Sequence, residues 1–195
     1  MSPRLDSQLA FLVEADKLKS VLRASTLADN SRRENSAEHS WHVALTALAL
    51  ADHAGPDVRI DRVIRMLLLH DVVEIDAGDA PIHGDHDTAA LEAAERAAAD
   101  RLFGLLPEDM AAEFRALWDE FEAAESPDAV FAKSIDRLQP VVLNLANGGG
   151  NWIDYGVTEA QLEQRVGRKV ALGAPGVWTH LQLRIRAFFT TIQGD

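Results

Sequence analysis

Apolar side chains recur at intervals of three and four residues along most of this 195-residue chain. In residues 5–23 the apolar set is Leu5, Leu9, Leu12, Val13, Leu18, Val21 and Leu22. That spacing places side chains on one face of an α-helix, and no useful length of sequence shows the strict alternation typical of a half-buried strand. The pattern predicts an all-α fold of about seven to nine helices in one domain over residues 1–195.

Turn and capping residues indicate where individual helices begin and end. Ser36 is expected to cap a helix from Ala37 to about Ala54, which the Gly55-Pro56 pair ends. Pro127 is expected to open a helix that continues through Ala146. The segment 24–36, ASTLADNSRRENS, is predicted to be a polar turn, and the last helices are expected near 158–172 and 176–192.

Composition excludes several classes of protein. The chain has no cysteine, so disulfides, thiolate metal sites and a cysteine nucleophile are excluded. Its net charge of −12 counts against nucleic acid as a partner. No apolar run approaches the ~20 residues that span a bilayer, and residues 1–20 have acids within their apolar pattern, unlike a signal peptide. We therefore expect a cytoplasmic protein with neither a membrane nor a nucleic acid as partner.

The stretch RMLLLHDVVEIDAGD, residues 65–79, joins a buried apolar run to titratable side chains. Glu74 follows His70 by four residues and Asp71 by three, so on a helix it lies one turn beyond both. One metal ion could be held by His70 and Asp71, with Glu74 directed at its water. Further ligands have to come from other helices, and the candidates are His39 and Asp136, which both lie in helical patterns.

His39, the pair His70-Asp71 and the distant Asp136 form an ordered H…HD…D pattern that resembles the HD-domain metal-dependent phosphohydrolases. The segments ENSAEHS, LLLHDVVEIDAGD, LFGLLPEDM, LWDEFEA and FAKSIDRLQP resemble the branch of this family that contains the 5′-deoxynucleotidases. The resemblance covers roughly residues 15–150 and implies an all-α HD fold, with the C-terminal helices of 158–193 packed on this core. It also implies one divalent metal ion bound by His39, His70, Asp71 and Asp136.

The resemblance further implies roles for the neighbouring charged residues. Glu74 occupies the position of the catalytic carboxylate, and Asp79 that of an acid near the sugar and the leaving oxygen. Arg32 and Lys133 match basic positions near the phosphate. The simpler interpretations are that Asp79 caps or turns a loop, and that Arg32 and Lys133 are ordinary solvated cations.

Two imidazoles and two carboxylates form a ligand set suited to Mn²⁺, Co²⁺, Fe²⁺, Ni²⁺ or Mg²⁺, with Zn²⁺ possible. The expected substrate is a small phosphate ester, a (deoxy)nucleoside 5′-monophosphate. The Arg-Trp pair that some of these nucleotidases carry upstream has no clear counterpart, because the segment reads LRASTLADN, with Arg23 displaced and no tryptophan. Weak discrimination among bases is therefore expected.

Three alternatives stay open at this point. The same centre could hydrolyse nucleoside triphosphates or phosphodiesters, although no additional basic residues are evident near the motifs. The chain could also be a non-catalytic module that senses nucleotides. The loop HGDHD, with His83, Asp85, His86 and Asp87, could hold a second metal, but a polar loop is the simpler interpretation.

A homodimer is expected, with the apolar C-terminal segment as its candidate interface.

Overall fold

The chain is described by a computed structural model over residues 2–193. Within these residues the structure is mostly helical, and the predicted all-α class is confirmed. The α-helices are α1 (Pro3–Ala15), α2 (Ser36–Ala49), α3 (Ile60–Leu69), α4 (Glu74–Ala77), α5 (Thr88–Phe103), α6 (Glu108–Ala123), α7 (Pro127–Ala146), α8 (Asn151–Asp154), α9 (Glu159–Leu162), α10 (Arg168–Gly173) and α11 (Pro175–Gln193). Short 3₁₀ turns cover Asp16–Ser20, Ala51–His53 and His70–Val73, and a π-helical turn covers Glu163–Gly167.

A small antiparallel hairpin lies where the sequence predicted only a polar turn. Strand β1 (Leu22–Thr26) pairs with β2 (Arg33–Asn35), so that Leu22 opposes Asn35 and Thr26 opposes Arg33. Its tip is held by tertiary hydrogen bonds, since Asn30 Nδ2 donates to the carbonyl of Asn147 at 2.7 Å and Asn147 Nδ2 donates to Thr26 Oγ1 at 2.9 Å. Strands of three to five residues are too short to show an alternating apolar pattern. The bonds that hold this hairpin reach the distant end of α7, so the sequence pattern could not indicate it.

The first helix is shorter than predicted and turns a different face inward. It ends at Ala15, and most of the leucine face expected to be buried is exposed, with Leu12 at 61% and Val13 at 73%. The buried residue of α1 is Phe11, whose ring packs edge-on against Phe114 of α6 with centroids 5.9 Å apart. The aromatic side chain, rather than the leucine spacing, therefore sets the orientation of α1.

Helix α7 lies at the centre of the core and packs against α2, α3, α6 and α10. It runs unbroken from Pro127 to Ala146, as predicted, and passes through Pro140. The apolar face of α11 also joins the core, through Trp178, Leu181, Ile185 and Phe189. One core thus includes both ends of the described chain, and we infer a single domain. Other apolar side chains of α11 stay exposed, Leu183 at 72% and Ile192 at 43%, so the homodimer with this segment as its interface stays a prediction.

No helix among residues 2–193 is both long enough and apolar enough to cross a membrane.

Candidate metal centre

Three core helices bring the predicted metal ligands together. His39 lies on the second turn of α2, Asp136 in the middle of α7, and the pair His70-Asp71 on the 3₁₀ turn that follows α3. His39 Nε2 is 3.0 Å from Asp136 Oδ1, and His70 Nε2 is 3.6 Å from the same oxygen. One ligand atom from each of these three residues lies within 4.8 Å of the other two. Asp71 is adjacent, with Oδ1 3.0 Å from His70 Nε2.

The ring of His70 has a defined tautomer. Its Nδ1 is 2.8 Å from the carbonyl oxygen of Leu67, which can only accept, so Nδ1 carries the proton. In the neutral ring Nε2 then carries the lone pair, and this buried atom has no hydrogen-bond partner among the described residues. The tryptophan Trp118 donates to the carbonyl of His70, and Phe121 packs edge-on against the ring. The ring is therefore held with a free nitrogen turned toward Asp136.

The same inference applies to His39, through a chain of hydrogen bonds. Gln139 Nε2 is 2.8 Å from the buried carboxylate of Glu34, which can only accept, so the amide oxygen of Gln139 faces the other way. That oxygen lies 3.2 Å from His39 Nδ1 and can only accept, so it accepts a hydrogen bond from the N–H at Nδ1. Nε2 of His39 is thus also a lone-pair donor directed at Asp136, and Glu34 and Gln139 fix its orientation.

The carboxylates of the cluster stay ionised in spite of their burial. Burial by itself would raise the pKa of Asp71, but His70 and Arg23 hold that pKa well below its usual value. Burial would likewise raise the pKa of Asp136, and the imidazoles of His39 and His70 beside its carboxylate hold that pKa low. Burial lowers the pKa of His70, but the charges of Asp71 and Asp136 outweigh it and raise the pKa to about 10. The cluster therefore attracts a positive charge strongly.

Arg23 is a residue of the site that the sequence analysis missed. Because β1 runs past the cluster, the guanidinium of Arg23 lies 2.8 Å from Asp71 Oδ2, 3.5 Å from Glu74 Oε1 and 3.6 Å from Asp79 Oδ1. Its side chain is only 12% exposed. Arg23, which had no clear match to the upstream Arg-Trp pair in the sequence, thus reaches the site through the hairpin.

Glu74 lies beside the ligands at the start of α4 and is buried. Its Oε2 accepts a hydrogen bond from the hydroxyl of Ser36 at 2.5 Å, and its Oε1 is the oxygen near Arg23. Burial raises the pKa of Glu74 to about 8, and the charges of Asp71 and Asp79 add to this effect while Arg23 opposes it. Ser36 is not the cap of α2, as was expected, because Asn35 fills that position in a capping box with Glu38. The Ser36 side chain is consequently free to hold Glu74.

Asp79 follows Gly78, whose positive φ of 77° ends α4 and turns the chain back toward β1. Asp79 Oδ2 accepts from the backbone N–H of Ala24 at 3.2 Å. Burial raises the pKa of Asp79, while the charge of Arg23 opposes that rise. The structure thus brings Asp79 to the cluster, next to Arg23 and Glu74.

A cavity of about 460 Å³ adjoins the cluster, within the range of small-molecule sites. His70, Asp71, Glu74, Asp79 and Asp136 all line it. Lys133 also lines it, with its ammonium group 2.9 Å from Glu122 Oε1 and above the ring of Phe121. The same cavity is lined by Arg23, Arg137 and Lys169. Basic residues are therefore present around the motifs, contrary to the expectation from the sequence.

The structure does not bring Arg32 to this cavity. Its guanidinium is exposed and makes two hydrogen bonds with the carboxylate of Glu38, at 2.6 and 2.8 Å. Arg32 lines a separate cavity with Leu27, Trp41 and Leu143. Arg32 lies in the turn between β1 and β2, just before β2, and its bonds to Glu38 hold it outside the cavity. The substrate site proposed below does not include it.

The donor set fits a divalent metal ion. Two imidazole lone pairs and a carboxylate oxygen converge, and without a cation or a proton between them these atoms repel one another. Around them the four carboxylates of Glu34, Asp71, Glu74 and Asp79 lie within 4 Å of the guanidinium of Arg23, so negative charge exceeds positive charge beside the converging donors. Neutral imidazole nitrogen and ionised carboxylate are the forms in which these side chains bind metals. His83, Asp85, His86 and Asp87 form no such group in the described residues, where His86 bonds to the carbonyl of Pro81 and Asp87 caps α5.

The bond from His39 to Gln139 leads to a first prediction. Replacing Gln139 by leucine removes the acceptor of the His39 Nδ1 proton and leaves Glu34 without its donor. We expect metal affinity to fall by about 10–100-fold, the usual effect of losing a partner that orients a ligand. Competition with a metal-sensitive chelator measures this affinity. Unchanged affinity would show that His39 does not depend on Gln139 for its orientation.

Comparisons with known proteins agree with the geometry. A family model described as an HD domain matches residues 15–178. The human 5′-deoxynucleotidase HDDC2 is 30% identical over 137 residues, which make up 70% of this chain and 66% of the human protein. This chain therefore spans slightly less than two thirds of that relative. A 5′-deoxynucleotidase from Pasteurella multocida (strain Pm70) is 32% identical over 167 residues, covering 78% of this chain and 82% of that protein.

A solved structure resembles almost the whole chain. It is the crystal structure of a protein from Magnetospirillum magnetotacticum MS-1 that is described as a predicted metal-dependent phosphohydrolase. The two chains are 48% identical, and the match covers 96% of each with a TM-score of 0.90. This similarity includes the C-terminal helices as well as the residues that carry the metal ligands.

Proposed function

We propose, from the premise that this chain belongs to the HD-domain family, that it is a metal-dependent phosphohydrolase acting on (deoxy)nucleoside 5′-monophosphates. The observation that carries the proposal is the convergence of His39 Nε2, His70 Nε2 and Asp136 Oδ1 beside a cavity lined by further acids and bases. The relatives named 5′-deoxynucleotidases support the substrate class.

The residues that would hold the ion are His39, His70, Asp71 and Asp136. A divalent ion bound there would lower the pKa of a coordinated water and polarise the phosphorus centre. Asp71 would use Oδ1, because its Oδ2 accepts from Arg23 and is thereby oriented. The identity of the ion stays open among Mn²⁺, Co²⁺, Fe²⁺, Ni²⁺, Mg²⁺ and Zn²⁺.

Glu74 is the residue we propose as general base. Ser36 fixes one of its oxygens, and the other, Oε1, remains free apart from the Arg23 guanidinium at 3.5 Å. That oxygen is placed beside the ligands, where it would take a proton from the attacking water. Asp79 would contact the sugar or the leaving oxygen. Lys133 would contact the phosphate from α7.

The substrate class is tested by measuring phosphate release from 5′-monophosphates, the matching triphosphates and cyclic diesters under one metal ion. We expect kcat/KM to be highest for the monophosphates. A triphosphate brings additional negative charge beside Glu92, Glu95 and Glu122, which also line the cavity. We expect weak discrimination among bases, since Ala24 rather than a tryptophan follows Arg23 on β1.

A higher kcat/KM for triphosphates or diesters would contradict the assignment, and strong selection of one base would contradict the expected tolerance. Binding of nucleotides without turnover, under saturating Mn²⁺ or Co²⁺, would favour the sensing module instead. A homodimer also stays a prediction, with the exposed apolar side chains of α11 as its candidate interface.

A further inference from the structure

Arg137 is a positively charged residue that lines the cavity, and the proposed mechanism gives it no role. It follows Asp136 on α7, and its side chain is only 22% exposed. Its Nε is buried and has no hydrogen-bond partner in the described part of the chain. The nearest carboxylate oxygen, Asp136 Oδ2, lies 3.6 Å away from that nitrogen and belongs to a proposed metal ligand.

Other partly buried arginines of the described chain make close hydrogen bonds to carboxylates. Arg23 makes one of 2.8 Å to Asp71, and Arg115 makes one of 2.8 Å to Asp119. The chain has 31 acidic residues and 19 lysines and arginines, so carboxylates are not scarce. A largely buried guanidinium without a hydrogen bond is costly unless some other group satisfies it. Arg137 is therefore arranged for a partner that the chain itself does not supply.

The charges around Arg137 indicate that this partner is an anion. Lys169 of α10 lines the same cavity, and its pKa is lowered first by the charge of Arg137, then by burial and by the charge of Lys133. Lys133 has a counterion in Glu122 at 2.9 Å, whereas Lys169 makes no ion pair within the described residues. Arg137 has only the 3.6 Å contact with Asp136, so two positive charges without a close counterion line the same cavity. Like charges repel, and an anion bound between them removes the repulsion.

We propose that Arg137, assisted by Lys169, forms an anion seat that binds the phosphate group of the substrate next to the metal ligands. The proposal rests on the proposed function and adds a residue to it. A guanidinium offers two parallel N–H donors that match two phosphate oxygens, while an ammonium acts as a point charge. Arg137 would hold the oxygens turned away from Asp136, and so fix the phosphate against the cavity wall on α7.

The test is a calorimetric titration of inorganic phosphate into the Mn²⁺-loaded protein. R137Q is expected to bind phosphate about 10–100-fold more weakly than the wild type, the range for a lost hydrogen bond to a charged group. R137K should lie between the two, since it retains the charge and loses the paired donors. R168Q is the matched control, because Arg168 is exposed, adjacent to Lys169 and outside the cavity lining. It removes the same charge and should bind phosphate like the wild type.

Three results would overturn the proposal: equal phosphate affinity in R137Q and R168Q, no phosphate binding by the wild-type protein, or loss of manganese from R137Q. The last would mean that Arg137 acts only by supporting Asp136. If R137Q does not fold, K169Q takes its place, with severalfold weaker phosphate binding expected and an unchanged affinity contradicting the proposal. Because the probe is phosphate and no turnover is measured, failure of the anion seat is separable from failure of the nucleotide assignment.

Discussion

Replacing Asp136 by alanine is expected to remove metal binding and phosphate release together. Asp136 Oδ1 is the oxygen that both imidazole Nε2 atoms approach, at 3.0 and 3.6 Å. Without it, one anionic ligand is lost and the remaining donors no longer converge on a common point. The loss of affinity should exceed the 10–100-fold typical of a partner that merely orients a ligand. Elemental analysis of desalted protein and a phosphate-release assay measure the two effects.

Asp85→Ala is a suitable control for this experiment. Asp85 is exposed in the loop before α5, and its loss changes the net charge equally. It should leave metal content and activity unchanged, which also tests whether the HGDHD loop holds metal. Thermal unfolding of both variants shows whether they are folded. Full metal occupancy in Asp136→Ala would contradict the ligand assignment.

Replacing Glu74 by glutamine is expected to retain the metal and reduce kcat by about 10²–10⁴-fold, the usual contribution of general base catalysis. The amide keeps the shape of the side chain and its oxygen can still accept from Ser36. It cannot take a proton from water. Metal content and kcat measured on the same preparation separate the catalytic role from a structural one.

The matched control for Glu74 is Glu92→Gln. Glu92 lines the same cavity, but its side chain is 55% exposed and pairs with Arg96. Removing its charge should change kcat little. If Glu74→Gln retains more than half of the wild-type kcat, Glu74 is not the base and instead supports Arg23 and the ligands.

The helical part of the fold was predictable because its signals are local. The bounds of α7 follow from Pro127 and from the glycines after Asn147, and both act within one turn of the helix end. The cap of α2 was misplaced by one residue, since Asn35 and Ser36 are both good capping residues. The hairpin could not be predicted, because its stability depends on contacts with the end of α7.

The proposed metal ligands were recognisable as an ordered set, and the residues that orient them were not. Gln139 is three residues after Asp136, so it shares a face of α7 with it, and this spacing could have identified it. Arg23 and Glu34 have no such signal, since they reach the cluster through the pairing of β1 and β2. Arg32 is the opposite case: its match to a basic position of the family suggested a site residue, whereas its bonds to Glu38 place it outside the cavity.

The most direct test of the account is a titration of metal-free protein with Mn²⁺ while phosphate release from a nucleoside 5′-monophosphate is followed. A single metal site per chain predicts no phosphate release without metal. The rate of release should then rise with added Mn²⁺ and level off at one equivalent per chain. Full activity in the metal-free protein, or saturation only at two equivalents, would contradict a single metal centre built from His39, His70, Asp71 and Asp136.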